Sequence, residues 1–345
     1  MFIDNFDLGN ATFIIAEMSA NHNQDFEIAV KTIIAAKESG VDAIKLQTYT
    51  ADTLTINSDK NYFKIDHGTM WDGETLYNLY KKAYTPWEWH SKLKKVAEEL
   101  GLIFFSTPFD PTAVDFLEKL GVSVYKIASP EITDIPLIKK VASKNLPIMI
   151  STGIAKLADI ELAVETCRKV GNNKIILLKC TSAYPTPYDE VDLRTMVNLG
   201  EVFNTVIGLS DHTLGIAVPI AAVALGAKVI EKHFILDKSL GGVDSLFSID
   251  PNEMKLLVQN VRNAEKSLGR VHYDINKKMK KIRELKRSLF IVKDVRKGEV
   301  FTEDNVRSIR PGFGLHPKYY DQIIGKYSSD NFEKGTPLNW KCLMY

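Results

Sequence analysis

The sequence predicts an α/β fold: a (β/α)8 TIM barrel followed by a small C-terminal β-rich module. Three observations predict it. Short apolar runs alternate with amphipathic helical stretches, and the alternation repeats eight times. Eight parallel strands, each followed by a helix, close into a barrel, and polar residues stand at the end of every run, on the face where such barrels carry their sites. Beyond Leu268 the helical period gives way to short strands and glycine turns.

The first run covers 12–16 and leads to a helix over 26–39. The second, 43–46, opens a long irregular excursion over 50–73, after which a helical pattern runs to Leu100. The third run, 102–105, precedes a helix over 112–120. The fourth, 124–127, precedes a helix starting near Ile135. The fifth, 147–150, precedes a helix over 157–170, and the sixth, 175–178, one near 193–199. The seventh run, 205–208, is followed by the small-residue stretch G-I-A-V-P-I-A-A-V-A-L-G-A, which has the make-up of a packed helix. The eighth, 228–230, leads to a last helix over 251–268. Gly40 and Gly226 close helices as left-handed caps. Residues 1–269 thus read as the barrel domain. The strongly basic stretch 270–287, which contains K-K-M-K-K-I-R, reads as a linker, and 288–345 as the small module, with turns at Gly298 and Gly335.

The chain has 345 residues, a size that suits one large domain and one small one. A formal charge of +1 gives no broad footprint for nucleic acid or a membrane surface. Three cysteines, Cys167, Cys180 and Cys342, form no disulfide framework or zinc-ribbon spacing and suit a reducing cytoplasm. The first residues, M-F-I-D-N-F-D-L-G-N, lack the basic start and apolar core of a secretory leader. No Walker loop or dinucleotide fingerprint is present.

The strand ends carry the chemistry. Glu17 follows the first run; Lys45 and Gln47 end the second; Ser106 and Thr107 follow the third. Lys126, Ser129 and Glu131 close the fourth, Ser151 and Thr152 the fifth, and Lys179, Thr181 and Ser182 the sixth. Ser210, Asp211 and His212 follow the seventh, and Glu231, Lys232 and His233 the eighth. His212 and His233 lie one strand–helix–strand unit apart, on neighbouring strand ends. Two imidazoles so placed can grip a divalent cation with its other positions open; the bland alternative is a pair of hydrogen-bonded rim residues. Lys45 and Lys126, with the hydroxyls of Thr107, Ser129, Ser151, Ser182 and Ser210, suit a small, doubly anionic substrate such as a phosphorylated carboxylic acid. The lysines could equally form structural ion pairs with Glu131 or Glu231, or act as a Schiff-base nucleophile. Glu17 is either a general base working through water or a buried partner of Lys45 or Asn21. Asp244 sits in the glycine-rich L-G-G-V-D-S-L-F-S, a loop able to approach a ligand closely or to cap a helix.

The stretches I-I-A-E-M-S-A-N-H, I-K-L-Q-T-Y, F-F-S-T-P-F-D, Y-K-I-A-S-P-E, S-T-G, T-S-A-Y-P-T-P, G-L-S-D-H-T-L-G and E-K-H-F together resemble the sialic acid synthase family. The likeness spans essentially the whole chain, and S-L-F-I-V-K-D-V-R-K-G-E down to G-T-P-L is similar to that family's antifreeze-like (SAF) domain. The resemblance implies condensation of phosphoenolpyruvate with an acetamido sugar, releasing phosphate without a Schiff base. It implies His212 and His233 as ligands of manganese or magnesium. Lys45, Thr107, Lys126, Ser129, Ser151, Ser182 and Ser210 become phosphoenolpyruvate contacts. Gln47, Glu131, Tyr184 and Asp244 become sugar contacts, and Glu17 the acid that handles water or a sugar hydroxyl. Arg310, in R-P-G-F-G, matches an arginine delivered to the sugar's N-acetyl group by a partner subunit, which implies a domain-swapped homodimer.

Two departures narrow the resemblance. Where relatives that make N-acetylneuraminate carry a G-P-D-H-x-A-S-like stretch, this chain reads G-G-V-D-S-L-F-S. With W-D-G-E-T-L-Y-N-L-Y and T-P-W-E-W-H, this is similar to the branch that takes a 6-deoxy, 2,4-diacetamido sugar and gives pseudaminic acid. Leu246 and Phe247 are expected to meet that sugar's added apolar surface. Ser182 stands where many relatives have Asn. The readings left beside this one are an N-acetylneuraminate or legionaminate synthase, a lyase using Lys126 or Lys179, and a non-catalytic sugar-binding protein.

Overall fold

The computed structural model describes residues 1–66 and 71–344. Two compact units divide the chain, Met1–Gly269 and Arg270–Tyr345. In the first, a two-stranded antiparallel hairpin, β1 (Phe2–Ile3) and β2 (Phe6–Asp7), precedes the barrel, and its Ile3 is fully buried in the barrel's core.

The eight predicted strands all form, and all are parallel. They are β3 (Phe13–Glu17), β4 (Ala43–Thr48), β5 (Ile103–Pro108), β6 (Tyr125–Ile127), β7 (Ile148–Ser151), β8 (Ile175–Cys180), β9 (Val206–Asp211) and β10 (Val229–His233). They close in sequence order, with β10 returning to β3. Most run past the apolar runs seen in the sequence. β4 takes in Lys45 and Gln47, β9 takes in Ser210 and Asp211, and β10 takes in Glu231, Lys232 and His233. The backbone ladder needs no apolar side chain, and the inward polar groups pair with one another across the barrel, so the strands continue where hydrophobicity stops.

Register therefore aligns the site. Glu17 lies beside both Lys45 and His233, Gln47 beside Thr107, and Ser210 beside both Cys180 and Glu231. The helices hold this register from outside, and their ends are set by local signals. Asp25 accepts from the amides of Glu27 and Ile28 to start α1 (Phe26–Ser39), and Gly40 ends it in the left-handed region at φ 86°. Asp110 and Pro111 start α5 (Pro111–Leu120), and Asp250 with Glu253 forms a capping box on α10 (Pro251–Leu268).

The excursion after β4 is less irregular than expected. It begins with the short helix α2 (Ala51–Leu54), and after Gly73 come α3 (Leu76–Ala83) and α4 (Trp87–Glu99). Part of the expected irregular stretch, 67–70, lies outside the described residues. No helix among the described residues is long and apolar enough to cross a membrane.

Around α4 lie two buried histidines. His22 Nε2 lies 3.0 Å from Thr85 Oγ1, and His90 Nε2 lies 2.8 Å from Thr48 Oγ1, which in turn meets Ser106 Oγ at 2.6 Å. Burial lowers both pKa values to about 4. The unfolded chain therefore binds more protons than the folded one between pH 6.5 and 4. The stabilisation from keeping these rings neutral is complete above pH 6.5 and is lost as pH falls through 4, up to about 3 kcal/mol for each ring. Melting temperatures recorded across that window should fall less steeply in His22→Gln than in the wild type. Parallel curves would show that His22 titrates as an ordinary histidine.

In the second unit, the stretch expected as a linker carries α11 (Lys277–Arg283), started by Asn276. β11 (Ser288–Ile291) pairs antiparallel with β12 (Val306–Ile309) over a small core that includes Leu289, Ile291, Phe301, Val306 and Leu338. A short helix, α12 (Tyr320–Ile323), completes the unit.

Candidate active site

The C-terminal mouth of the barrel holds a small polar cavity. Its floor is a carboxylate with two cations on one oxygen. Glu231 Oε1 lies 3.0 Å from Lys126 Nζ and 3.5 Å from Lys45 Nζ, and accepts from Ser210 Oγ at 3.3 Å. Lys45 also ion-pairs with Glu17 and donates to Thr107 Oγ1 at 3.1 Å. All of these groups are buried. Burial pushes the Glu231 carboxyl up, but Lys126 and Lys45 outweigh it and bring its pKa down to about 2. Burial and the nearby Glu231 push the Glu17 carboxyl up, against the pull of Lys45. Burial lowers the Lys126 ammonium.

Several buried polar atoms lining this cavity have no partner within the protein: Glu17 Oε1, Glu231 Oε2, Ser151 Oγ and His233 Nδ1. An unpaired buried polar group costs roughly 1–3 kcal/mol, so four around one cavity mark a surface built for a polar ligand.

His212 and His233 share this cavity, with ring centroids 5.3 Å apart. His212 Nδ1 lies 3.1 Å from the Thr181 carbonyl, which can only accept. Nδ1 therefore carries the proton, and Nε2 is left to act as a ligand or acceptor. Burial lowers the His212 pKa, but the adjacent Cys180, with Sγ 3.8 Å from Nδ1, more than offsets this and raises it. Burial and the nearby cationic groups hold His233 well below the usual imidazole range, so its ring is neutral.

Above this floor opens a larger chamber, sharing Gln47, Phe109, Ala128, Pro130, Tyr184 and His233 with the cavity below. Asp244 and Glu131 add carboxyls. Asp244 Oδ2 is 3.8 Å from His233 Nδ1, and burial raises its pKa. Burial lifts Glu131 to about 7. Tyr184 packs, tilted, against His212 and Phe247, with ring centroids 4.3 Å and 5.0 Å away. The roof joins distant segments: Trp71 Nε1 donates to the Val243 carbonyl at 3.2 Å.

The barrel thus gathers nearly every residue singled out in its sequence. Glu17, Lys45, Gln47, Thr107, Lys126, Ser129, Ser151, Tyr184, Ser210, His212 and His233 line the lower cavity, and Glu131 and Asp244 the upper. Ser182 lines neither. It packs against Gly153, where an added Cβ would also fall 2.8 Å from Ser129 Oγ. Arg310 is exposed on the second unit.

Two strand-end expectations and one loop expectation need correction. Lys179 donates to the Cys180 carbonyl at 3.0 Å, and Lys232 pairs with Asp211 at 2.5 Å, buried outside the cavity. Side chains alternate along a strand, so with Cys180, Glu231 and His233 facing in, Lys179 and Lys232 face out. Leu246 is exposed rather than in the chamber, which Phe247 alone of the two lines. The sequence offers Glu231 only as an ion-pair partner, yet it organises the floor. Its signal was its position two residues before His233, on the same strand face.

A model of the NeuB family matches residues 32–273, and one of the SAF domain matches 286–344. The chain is 48% identical to a pseudaminic acid synthase of Campylobacter jejuni over 98% of both chains. It is 42% identical to an N,N'-diacetyllegionaminic acid synthase of Legionella pneumophila over 95% of this chain and 94% of that one. Among solved structures, an N-acetylneuraminic acid synthetase from Leptospira borgpetersenii, in complex with citrate, superposes with a TM-score of 0.73 at 31% identity, covering 82% of this chain and 94% of that one. With the family match across most of the barrel and this identity along nearly its whole length, the chain belongs to the NeuB family.

Proposed function

We propose that this chain is a transferase that condenses phosphoenolpyruvate with 2,4-diacetamido-2,4,6-trideoxy-L-altrose and releases phosphate, the reaction of a pseudaminic acid synthase. The observation that carries the proposal is the layering of one cavity. Buried lysines and hydroxyls form a floor for a small anion, two imidazoles stand at the junction, and a roomy, largely apolar chamber lies above. The identity of 48% to a pseudaminic acid synthase against 42% to a legionaminic acid synthase favours this sugar over its relatives.

Lys45 and Lys126, with Thr107, Ser129, Ser151 and Ser210, hold the phosphate and carboxylate, and we keep Ser182 as an outer support to that set through Ser129. Gln47, Glu131, Tyr184 and Asp244 orient the sugar. Glu131, with a pKa near 7, exists in both protonation states at neutral pH and so can donate to a sugar oxygen or accept from a hydroxyl. Arg310 we assign to the N-acetyl group of sugar held by a partner subunit in a swapped homodimer working in the cytoplasm.

The donor set fits a divalent cation. His233 is neutral and its Nδ1 has no hydrogen-bond partner, while His212 commits Nδ1 to the Thr181 carbonyl, so a cation at its Nε2 would compete only with the proton that the raised pKa of that ring favours. Among the described residues no group of three His, Cys, Asp or Glu could hold a metal, so His212 and His233 would hold it with other positions left to substrate and water. Bound there, manganese or magnesium supplies Lewis-acid polarisation of the open-chain aldehyde. The methylene carbon of phosphoenolpyruvate attacks the aldehyde carbon and forms the new carbon–carbon bond as the carbonyl π pair moves to the aldehyde oxygen, which takes a proton from water to become a hydroxyl. Electron deficiency then rests on the carbon bearing phosphate, and water adds there as Glu17, made more basic by burial, takes its proton. The tetrahedral product collapses to a ketone as the bond to phosphate oxygen breaks, while Lys45 and Lys126 balance the leaving charge.

The test is phosphate release from phosphoenolpyruvate with a panel of acetamido sugars, with and without EDTA. The trideoxy diacetamido sugar should turn over, EDTA should stop it, and manganese should restore it. Turnover of N-acetylmannosamine with the trideoxy sugar inert would overturn the choice of sugar. Indifference to EDTA would overturn the cation.

A further inference from the structure

The upper chamber has one wall of a different kind. Leu54, Ile65, Leu76, Leu79 and Ala83 line it, and none of them lines the polar cavity below. Three come from α3, where Leu76, Leu79, Tyr80 and Ala83 fall at the spacing of one helix face. The opposite face, with Asn78, Lys81 and Lys82, is exposed. Such a helix is held by what lies under its apolar face. Among the described residues, Leu76, Leu79 and Tyr80 are neither members of a barrel core cluster nor packed against one. What lies beneath that face is the chamber itself.

We infer that this aliphatic face, with Leu76 and Leu79 at its centre, is the subsite for the C6 methyl of the deoxy sugar and sets the enzyme's preference for a sugar lacking a C6 hydroxyl. The inference rests on the proposed function and deepens it. The polar end of the chamber, at His233, Asp244 and Gln47, adjoins the floor where the aldehyde carbon must react. The end of an extended open chain farthest from that carbon is C6, and the aliphatic residues line the chamber without lining the floor cavity where that carbon reacts. A methyl there loses water-exposed apolar surface. A hydroxyl set against Leu76 and Leu79 gives up hydrogen bonds to water that those two side chains cannot replace. A pair of leucines discriminates by roughly tenfold to a hundredfold, and no more, because neither carries a polar group to leave unpaired.

The experiment compares kcat/KM for the trideoxy diacetamido sugar and for the same sugar carrying a C6 hydroxyl, in the full-length protein and its Leu76→Ser and Leu79→Ser variants. The ratio of two substrates in one sample does not depend on the folded fraction, so a partly unfolded variant still reports. The wild type should prefer the deoxy sugar by at least about tenfold, and each serine variant should shrink that ratio severalfold with the KM for phosphoenolpyruvate little changed. Leu79→Met, which keeps the wall apolar, should preserve it. If the wild type uses both sugars equally, or the serine variants slow both by the same factor, the inference falls while the proposed function stands. If neither diacetamido sugar turns over and N-acetylmannosamine does, the proposed function falls and takes the inference with it.

Discussion

Replacing His212 with alanine should reduce phosphate release by roughly a thousandfold, the scale of losing one well-placed electrostatic group in a water-poor site. The barrel itself should survive. His212 stands at the end of β9, with its ring between Tyr184 and His233 and its Nδ1 on the Thr181 carbonyl. Removing it opens space at the mouth and leaves the strand pairing of β9 with β8 and β10 untouched. The expected cost in stability is therefore about 1–3 kcal/mol, seen as a modest drop in melting temperature. The large loss has a specific source. The protein offers two imidazoles at this junction, and among the described residues no third donor is grouped with them. A site of two ligands that loses one keeps no chelate, so manganese binding, followed by titration calorimetry in the absence of substrates, should weaken by at least about a hundredfold. His212→Gln, which restores bulk, should recover melting temperature and not activity. Wild-type turnover in either variant would remove the histidine pair from the reaction.

What the sequence showed and what it hid divide along a physical line. Strands and helices were legible because hydrophobic period is a local property, as with α1 and α10, whose caps Asp25, Gly40 and Asp250 could be read directly. Gathering of the strand-end residues into one cavity was legible because barrel topology places every strand end on one face. Which way each strand-end side chain faces is a finer signal. Lys179 and Lys232 sit at strand ends like Lys45 and Lys126, and only their alternation with Cys180, Glu231 and His233 shows that they point away. The roof was illegible, because its contacts join residues far apart in the chain, such as Trp71 and Val243, separated by 172 positions. No periodicity in 50–73 announces that the segment leads into a chamber wall. The resemblance supplied the chemistry, while the aliphatic lining at Leu76 and Leu79 came from the three-dimensional arrangement alone.

Glu231→Gln should bind phosphate and phosphoenolpyruvate more tightly than the wild type while turning over more slowly. The floor is an electrostatic compromise: two buried ammonium groups rest on one carboxylate oxygen, at 3.0 Å for Lys126 and 3.5 Å for Lys45. An incoming dianion competes with Glu231 for the same lysines and is repelled by its charge. Taking that charge away leaves Lys45 with Glu17, but removes the ion pair of Lys126. The unliganded variant should therefore lose about 3–5 kcal/mol of stability, the usual cost of stranding one member of a buried pair. A bound anion supplies the missing charge, so phosphate should raise the melting temperature more in the variant than in the wild type, and its Kd should fall by at least about tenfold. Tighter holding of ground state and product is the wrong contribution to catalysis, which gains only from interactions that strengthen in the transition state. Phosphate release should accordingly slow, with product inhibition by inorganic phosphate growing in step. Unchanged or weaker phosphate affinity in Glu231→Gln would mean that Glu231 is a structural partner of the lysines and does not stand in for the substrate's charge.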